Sequence, residues 1–374
     1  MNNVTELKLR QQYDYQSILD AYLDCRRVKR NKNSAIAFEV RFERKLVDLL
    51  EEVNSGTYQI GRSEVFVVTY PKAREIWAAQ FRDRIVHHLV HNDTSPFLES
   101  RLIEDTFSCI KGRGTLAASN RLQQLHRKIT NNYESDCYAL QFDIKNFFVS
   151  IDKTILWNQF ERYLGPPESS LTARLLHQII WNNPAENPII KPNSPFHLVP
   201  KHKSLWLTGG KRGLPIGNLT SQTASNVYMN GFDHFVKHVL KCKAYVRYVD
   251  DAIILSKDKK HLEYCLSEIE NYLREELRLV IHPDKCSITP ASQGMNFVGF
   301  VVKPHRRYTR RSTMTAAKKS AKNPDAFQRV SSVNSYLGLM RNTHSYQLRR
   351  ELCRDAAIPS LITHDRDFKK LILL

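Results

Sequence analysis

Apolar positions recur at helical spacing through the first fifty residues. Ile18, Leu19, Tyr22 and Leu23 make one stripe and Phe38, Phe42, Leu46, Leu49 and Leu50 another, which predicts helices between Tyr13 and Val53. The turn residues Asn54-Ser55-Gly56 follow, and Glu64 to Tyr70 then alternates as a strand does, stopping at Pro71. A helical stretch holding Trp77, Phe81, Ile85, Val86 and Leu89 comes next, and a further helix from Leu116 to about Ile129. Cys137 to Ile151 opens as a strand with Asp143 at its end. After a loop-rich region between Trp181 and Trp206, a helix to about Leu240 is expected to bury Leu219, Ala224, Val227, Phe232, Phe235 and Val239. His261 to Leu277 is again amphipathic. The tail from Val330 to Leu374 predicts a small helical module with Val333, Tyr336, Leu337, Leu339 and Met340 inward.

Between the last two long helices lies Ala244 to Ser256, an apolar, β-rich run interrupted by Asp250 and Asp251. It predicts a hairpin of strands Tyr245 to Val249 and Ala252 to Ser256, with both carboxylates at the tight turn. Such a pair is either solvated as an ordinary turn or held by a cation, since unpartnered charges among buried strands are costly. Asp143, leaving a strand beside this hairpin, would complete a two-strand, three-carboxylate arrangement able to hold a pair of Mg²⁺ ions.

Composition narrows the partners. A formal net charge of +18 favours a polyanion, nucleic acid first among them. No apolar run approaches the roughly 20 residues of a membrane span, and the N-terminal Met-Asn-Asn-Val-Thr-Glu lacks the apolar core of a signal peptide. A cytoplasmic protein with no membrane partner is expected. The seven cysteines are scattered without a Cys-x-x-Cys, so reduced, mostly structural thiols are expected; the clusters His87, His88, His91 and His234, His238 read as ordinary helix residues.

Basic residues gather in several places. Arg26 to Lys32 reads as a solvated loop or a phosphate contact. Lys72 and Arg74, one residue apart on an extended segment, point to the same side, a compact charge beside a planar fork that suits a triphosphate. Lys111-Gly112-Arg113-Gly114-Thr115 and Gly213-Leu214-Pro215-Ile216-Gly217-Asn218 are glycine-bearing loops that lead into helices, and Gly217 with Asn218 would let backbone lie flat against a base pair. From Lys303 to Asn323 there are eight basic residues and no acidic one, and this change places a domain boundary near 303. The expected division is 1–60 as an N-terminal helical extension, 61–302 as the main domain and 303–374 as a terminal helical domain.

Taken together and in order, Pro71-Lys72-Ala73-Arg74, Asp143 with Phe147-Phe148, Gly213-Leu214-Pro215-Ile216-Gly217, Tyr248-Val249-Asp250-Asp251, Lys285 and Asn296-Phe297-Val298-Gly299-Phe300 resemble the reverse transcriptases across nearly the whole chain. Within that family the sequence is closest to the enzymes of diversity-generating retroelements. Ile216-Gly217-Asn218-Leu219-Thr220-Ser221-Gln222 carries that likeness, where most relatives have Gln for Ile216 and Pro for Gln222. Phe81 to His88 and Ser335-Tyr336-Leu337-Gly338 are similar to that group as well. Nothing resembles an intron maturase's endonuclease region or a retroviral ribonuclease H, and the box that marks retron enzymes is missing.

The resemblance implies an α+β right-hand polymerase with fingers, a palm built on an antiparallel sheet and a helical thumb. It implies RNA-directed DNA synthesis with two Mg²⁺ ions about 3.5 to 4 Å apart, Mn²⁺ being able to substitute. Asp143, Asp250 and Asp251, with Ile144, are the implied metal site; Lys285 joins the acids as a catalytic residue that protonates the leaving group. Lys72, Arg74, Phe148, Ile216, Gly217 and Ile144 are the implied nucleotide contacts, Phe148 matching the family's steric gate against a ribose 2′-hydroxyl. Ile216 in place of an amide implies error-prone copying opposite template adenine, used to diversify a target gene. Implied partners are a template RNA and its RNA/cDNA duplex, dNTPs and a pentameric accessory variability protein. The competing readings are a host-defence enzyme, a retron-like or group II intron-like reverse transcriptase, and an RNA-binding scaffold without catalysis.

Overall fold

The computed structural model describes residues 7, 9–27, 29–70 and 72–374. Pro71, expected to end a strand and to open the fingers motif, lies outside the described residues, as do Val28 and the six N-terminal residues. The chain forms two compact units, each assembled from separated segments. One comprises 1–104, 144–235 and 269–281; the other comprises 105–143, 236–268 and 282–374.

In the first unit the N-terminal pattern folds as helices Tyr15–Arg26, Asn33–Glu39 and Phe42–Ser55. Ile18, Tyr22, Leu46 and Leu49 are buried as their spacing requires, and the ring of Tyr22 stacks on Phe42 at 5.4 Å. Leu23, expected on the apolar stripe, is 49% exposed, because the buried face turns through Ala21 and Cys25 instead. Strands Glu64–Val68 and Arg74–Ala78 pair antiparallel, so Trp77 sits in a strand and not in the helix predicted for it; the helix begins at Phe81. The reason is a contact with a segment distant in sequence. Buried Glu75 accepts from the Trp77 indole at 3.1 Å and from the Leu205 amide at 2.9 Å, and the Trp206 ring lies 4.7 Å from that of Trp77. A polar anchor of this kind is invisible to hydrophobic spacing.

The helix Leu219–His234 buries Ala224, Val227 and Phe232. It then widens into a π turn over Phe235–Val239, which shifts the phase of the buried face. Val236 is therefore buried, and Val239, expected inside, is 65% exposed.

The second unit is organised on a five-stranded sheet in the order Thr106–Phe107, Tyr245–Tyr248, Asp251–Ser256, Tyr138–Asp143, Ser287–Pro290. The first pair is parallel and all the others antiparallel. Ala139, Val246, Ile253 and Leu255 pack from the sheet against Ala118, Leu122 and Leu125 of the helix Thr115–Ile129. A three-stranded meander, Met295–Phe297, Phe300–Lys303 and Arg306–Thr309, adds Met295, Phe297 and Val302 to the same core. Lys303 pairs with Arg306 across its second turn.

The tail forms helices Arg311–Ala321, Ala326–Met340 and Tyr346–Ala356 around Met314, Val333, Leu337 and Leu352. Tyr336 and Leu339 are half-buried at its margin. An unexpected hairpin, Ile362–His364 with Leu371–Leu373, closes this core from the C-terminal end. Its connection is fixed by the Asp365 carboxylate, which accepts from the amides of Lys369 and Lys370. Among the described residues no helix is long and apolar enough to cross a membrane.

Candidate active site

Tyr138–Asp143 alternates Ala139, Leu140 and Phe142 into the core and reaches its last residue with a carboxylate. Register then brings the acids together: Asp143 stands opposite Asp251 on the neighbouring antiparallel strand. Directly opposed residues have Cβ atoms about 4.5 to 5.5 Å apart. The main chain beyond the strand is held by the His282 amide, which donates to the Asp143 carbonyl at 2.8 Å.

The hairpin turn is tighter than expected. Tyr248 pairs with Asp251, leaving Val249 and Asp250 as a two-residue loop, so Asp251 belongs to the strand and Asp250 alone to the tip. Val249 has φ 58°, the positive value that a type II′ turn needs at its first central residue. A β-branched residue adopts that conformation only under compulsion, at a cost on the order of 1–3 kcal/mol. Part of the compulsion is Arg247. Its side chain is fully buried, its guanidinium donates to the Val249 carbonyl at 2.8 Å, and its amide donates to the Asp105 carbonyl at 3.0 Å. Buried Asp105 in turn accepts from Lys237 and Arg121, each at 2.5 Å.

The electrostatics of the acidic centre follow from this crowding. Burial, then the charge of Asp250 and more weakly that of Asp143, push the Asp251 carboxyl up to about 7, against the opposing pull of Arg310 and Lys285. Lys285 already answers part of the charge, its Nζ standing 2.6 Å from Asp143 Oδ2. Three carboxylates that drive a proton onto one of their number form a hard, all-oxygen donor set with surplus negative charge, the chemistry a divalent cation such as Mg²⁺ satisfies by displacing that proton. Asp143, Asp250 and Asp251 therefore have the donor chemistry of a metal site, although their carboxylate oxygens do not all lie within 4.8 Å of one another and would have to close on the ion. Lys285, 41% exposed on a flexible stem, is free to leave Asp143 when a cation arrives.

The remaining predicted residues lie in the first unit. Lys72 and Arg74 are both exposed, Arg74 opening the strand Arg74–Ala78 opposite Val68. That strand also carries the glycine loop: the Trp77 amide donates to the Ile216 carbonyl at 2.9 Å, and the Ala79 amide to Asn218 Oδ1 at 3.2 Å. Gly217 has φ 124°, and a Cβ there would meet Ile76 Cγ2 at 3.1 Å, so this position requires glycine for packing on the strand beneath it. Phe148 lies in the single turn Phe147–Ser150, where Phe147 is buried and Phe148 remains half-buried. Its carbonyl accepts from the Leu214 amide at 2.8 Å, joining this turn to the same loop. Ile144 is 1% exposed and bridges Ile281, so any contact it makes with a metal or nucleotide runs through its main chain.

Sequence reasoning missed Arg247, Asp105 and Arg310. Arg247 had a signal, an arginine alternating inward between apolar residues of a buried strand. The role of Arg310 had none, because Arg310 lies well beyond the acids in sequence and comes under their influence only in the fold.

No curated protein matches the chain. Among solved structures it is similar to telomerase from Candida albicans in complex with a TWJ fragment of telomeric RNA, at 12% identity over 80% of this chain and 56% of that one, with TM-score 0.45. It is also similar to apo telomerase from Candida Tropicalis, at 10% identity over 79% of this chain and 57% of that one, with TM-score 0.48. The chain thus spans little more than half the length of each. A family model described as reverse transcriptase (RNA-dependent DNA polymerase) matches residues 70–302, more than half of the chain and the whole stretch from Lys72 to Lys285. The chain therefore belongs to the reverse transcriptase family, with an α+β RNA-directed DNA polymerase domain that contains an antiparallel sheet.

Proposed function

We propose that this protein copies a retroelement template RNA into cDNA with errors concentrated opposite adenine, and so diversifies a target gene. The observation that carries this reading is Ile216. The loop is pinned to the strand below by its backbone, through the Ile216 carbonyl and the Trp77 amide, which leaves the side chain as the group free to vary. An amide there can hydrogen-bond near an incoming nucleotide and penalise an imperfect pair; a branched alkyl group cannot.

In this reading 61–302 forms fingers and palm, 303–374 the thumb and 1–60 an N-terminal extension. Asp143, Asp250 and Asp251 hold divalent metal, with Ile144 contributing its main chain. Two bound Mg²⁺ ions would supply Lewis acidity toward the primer hydroxyl and the triphosphate. Lys72 and Arg74 bind the triphosphate oxygens, as a point charge and a planar fork. Lys285, released from Asp143, donates a proton to the departing pyrophosphate. Phe148 crowds the sugar and excludes a 2′-hydroxyl, so the product is DNA. The +18 charge supports binding of the template RNA and its duplex, with affinity falling steeply as salt rises. A pentameric accessory protein and a cytoplasmic location complete the proposal.

The test is to copy a structured candidate RNA with purified protein and sequence the cDNA. Misincorporation should concentrate at template adenines and fall roughly tenfold in Ile216→Gln. Errors spread evenly over the four bases, or an unchanged spectrum in the variant, would refute the diversifying role.

A further inference from the structure

We infer that Cys242, His261 and Cys265 form a site for a thiophilic divalent cation, zinc by its geometry, which clamps the base of the hairpin that carries Asp250. The three residues come from two segments on either side of a hairpin and are unremarked by any Cys-x-x-Cys spacing, yet among the described residues they are the one set of His, Cys, Asp or Glu side chains whose ligand atoms all lie within 4.8 Å of one another. Cys242 stands three residues before the strand Tyr245–Tyr248. His261 and Cys265 lie one turn apart at the start of the helix Lys259–Leu277, which follows the strand Asp251–Ser256. Their i, i+4 spacing puts both on one face of that helix, toward Cys242. The cluster therefore joins the chain entering the hairpin to the chain leaving it.

Distances separate the available readings. Cys242 Sγ is 3.5 Å from Cys265 Sγ, and Cys265 Sγ is 3.5 Å from His261 Nε2. Tetrahedral zinc with bonds of about 2.3 Å to sulfur and 2.0 to 2.1 Å to nitrogen sets its ligands about 3.8 Å apart for two sulfurs and about 3.5 Å for sulfur and nitrogen. Both distances meet those values within a few tenths of an ångström, and the third pair, Cys242 with His261, lies within 4.8 Å. A disulfide would need the sulfurs to close to about 2.05 Å and would leave His261 without a part. Both thiols are buried, at 4% and 0% exposure, whereas His261 is half-buried, so one side of the cluster is open for water or another donor as fourth ligand. At present Cys242 spends its S–H on the Leu240 carbonyl at 3.6 Å, a weak bond that a metal would replace.

The experiment uses the full chain purified in reductant and supplied with one metal at a time, with excess Mg²⁺ to saturate the oxygen ligands of the acidic centre. One equivalent of zinc per chain should survive gel filtration, and Co²⁺ should give thiolate-to-cobalt charge-transfer absorption, which carboxylates cannot produce. Cys265→Ser should abolish the stoichiometric zinc, His261→Ala should weaken it by about tenfold or more, and a chelator should lower the melting temperature of the wild type alone. Should Cys265→Ser fail to fold, the wild-type cobalt spectrum and the half-exposed His261→Ala variant decide the matter. Absence of the charge-transfer band, equal zinc retention in wild type and His261→Ala, or a Cys242–Cys265 disulfide found by mass spectrometry in the reduced preparation would overturn the assignment.

Discussion

Replacing Asp251 by Asn should stabilise the metal-free protein, increasingly so as the pH rises. In the unfolded chain this carboxyl ionises near 3.8; in the fold, burial and the charges of Asp250 and Asp143 hold it protonated up to about 7. Between those values the folded state binds more protons than the unfolded one, so wild-type stability falls with rising pH and levels off above about 7. At 1.36 kcal/mol per pH unit the whole displacement amounts to about 4 kcal/mol, of which about 2 to 3 kcal/mol is lost between pH 5 and 8. Asn has the same shape and does not titrate. Urea unfolding of wild type and Asp251→Asn, followed by circular dichroism in the presence of a chelator, should therefore give curves that diverge by roughly that amount over this interval. Adding Mg²⁺ should narrow the gap at pH 8, because the ionised cluster is the form that binds it. A gap that does not change with pH, or a variant less stable than wild type at pH 8 without metal, would refute the crowding argument.

Three further substitutions probe the surrounding architecture. Phe148→Ala should raise ribonucleotide incorporation by about 10- to 200-fold relative to deoxynucleotides, read by alkaline cleavage of the product; unchanged sugar selection would remove Phe148 from the gate. Gly217→Ala forces a Cβ into 3.1 Å contact with Ile76 Cγ2 at a φ of +124°. It should cost on the order of 1–3 kcal/mol in unfolding experiments and raise the KM for nucleotides. Arg247→Met keeps bulk in the core but withdraws the donor from the Val249 carbonyl, so stability should fall by about 1–3 kcal/mol and kcat should fall while RNA affinity stays unchanged; an unaltered kcat would show that the turn holds itself.

Much of this was legible in the sequence because it depends on local pattern. The alternation around Asp143 and the apolar strands flanking Asp250 and Asp251 fix both elements, and strand register then sets Asp143 opposite Asp251 with no further information. What was hidden depends on partners distant in sequence or on a change of helical phase. Trp77 reads as helical until buried Glu75 meets the Leu205 amide. Val239 reads as core until the π turn rotates it outward. The Cys242, His261 and Cys265 cluster is assembled across a hairpin, so no linear spacing announces it. Asp251 reads as a turn residue because two adjacent aspartates look alike; the two-residue loop that separates them is set by Arg247 from within the sheet.

Strand register sets Asp143 opposite Asp251, beside Asp250, and the proposed polymerising centre rests on that pairing. The most direct measurement of that centre is primer extension on an RNA template with dNTPs and Mg²⁺, comparing wild type with Asp143→Asn alongside RNA binding of each. Wild type should extend the primer, and the Asn variant should make no DNA while binding RNA as tightly as wild type. Extension by Asp143→Asn at the wild-type rate would contradict the account.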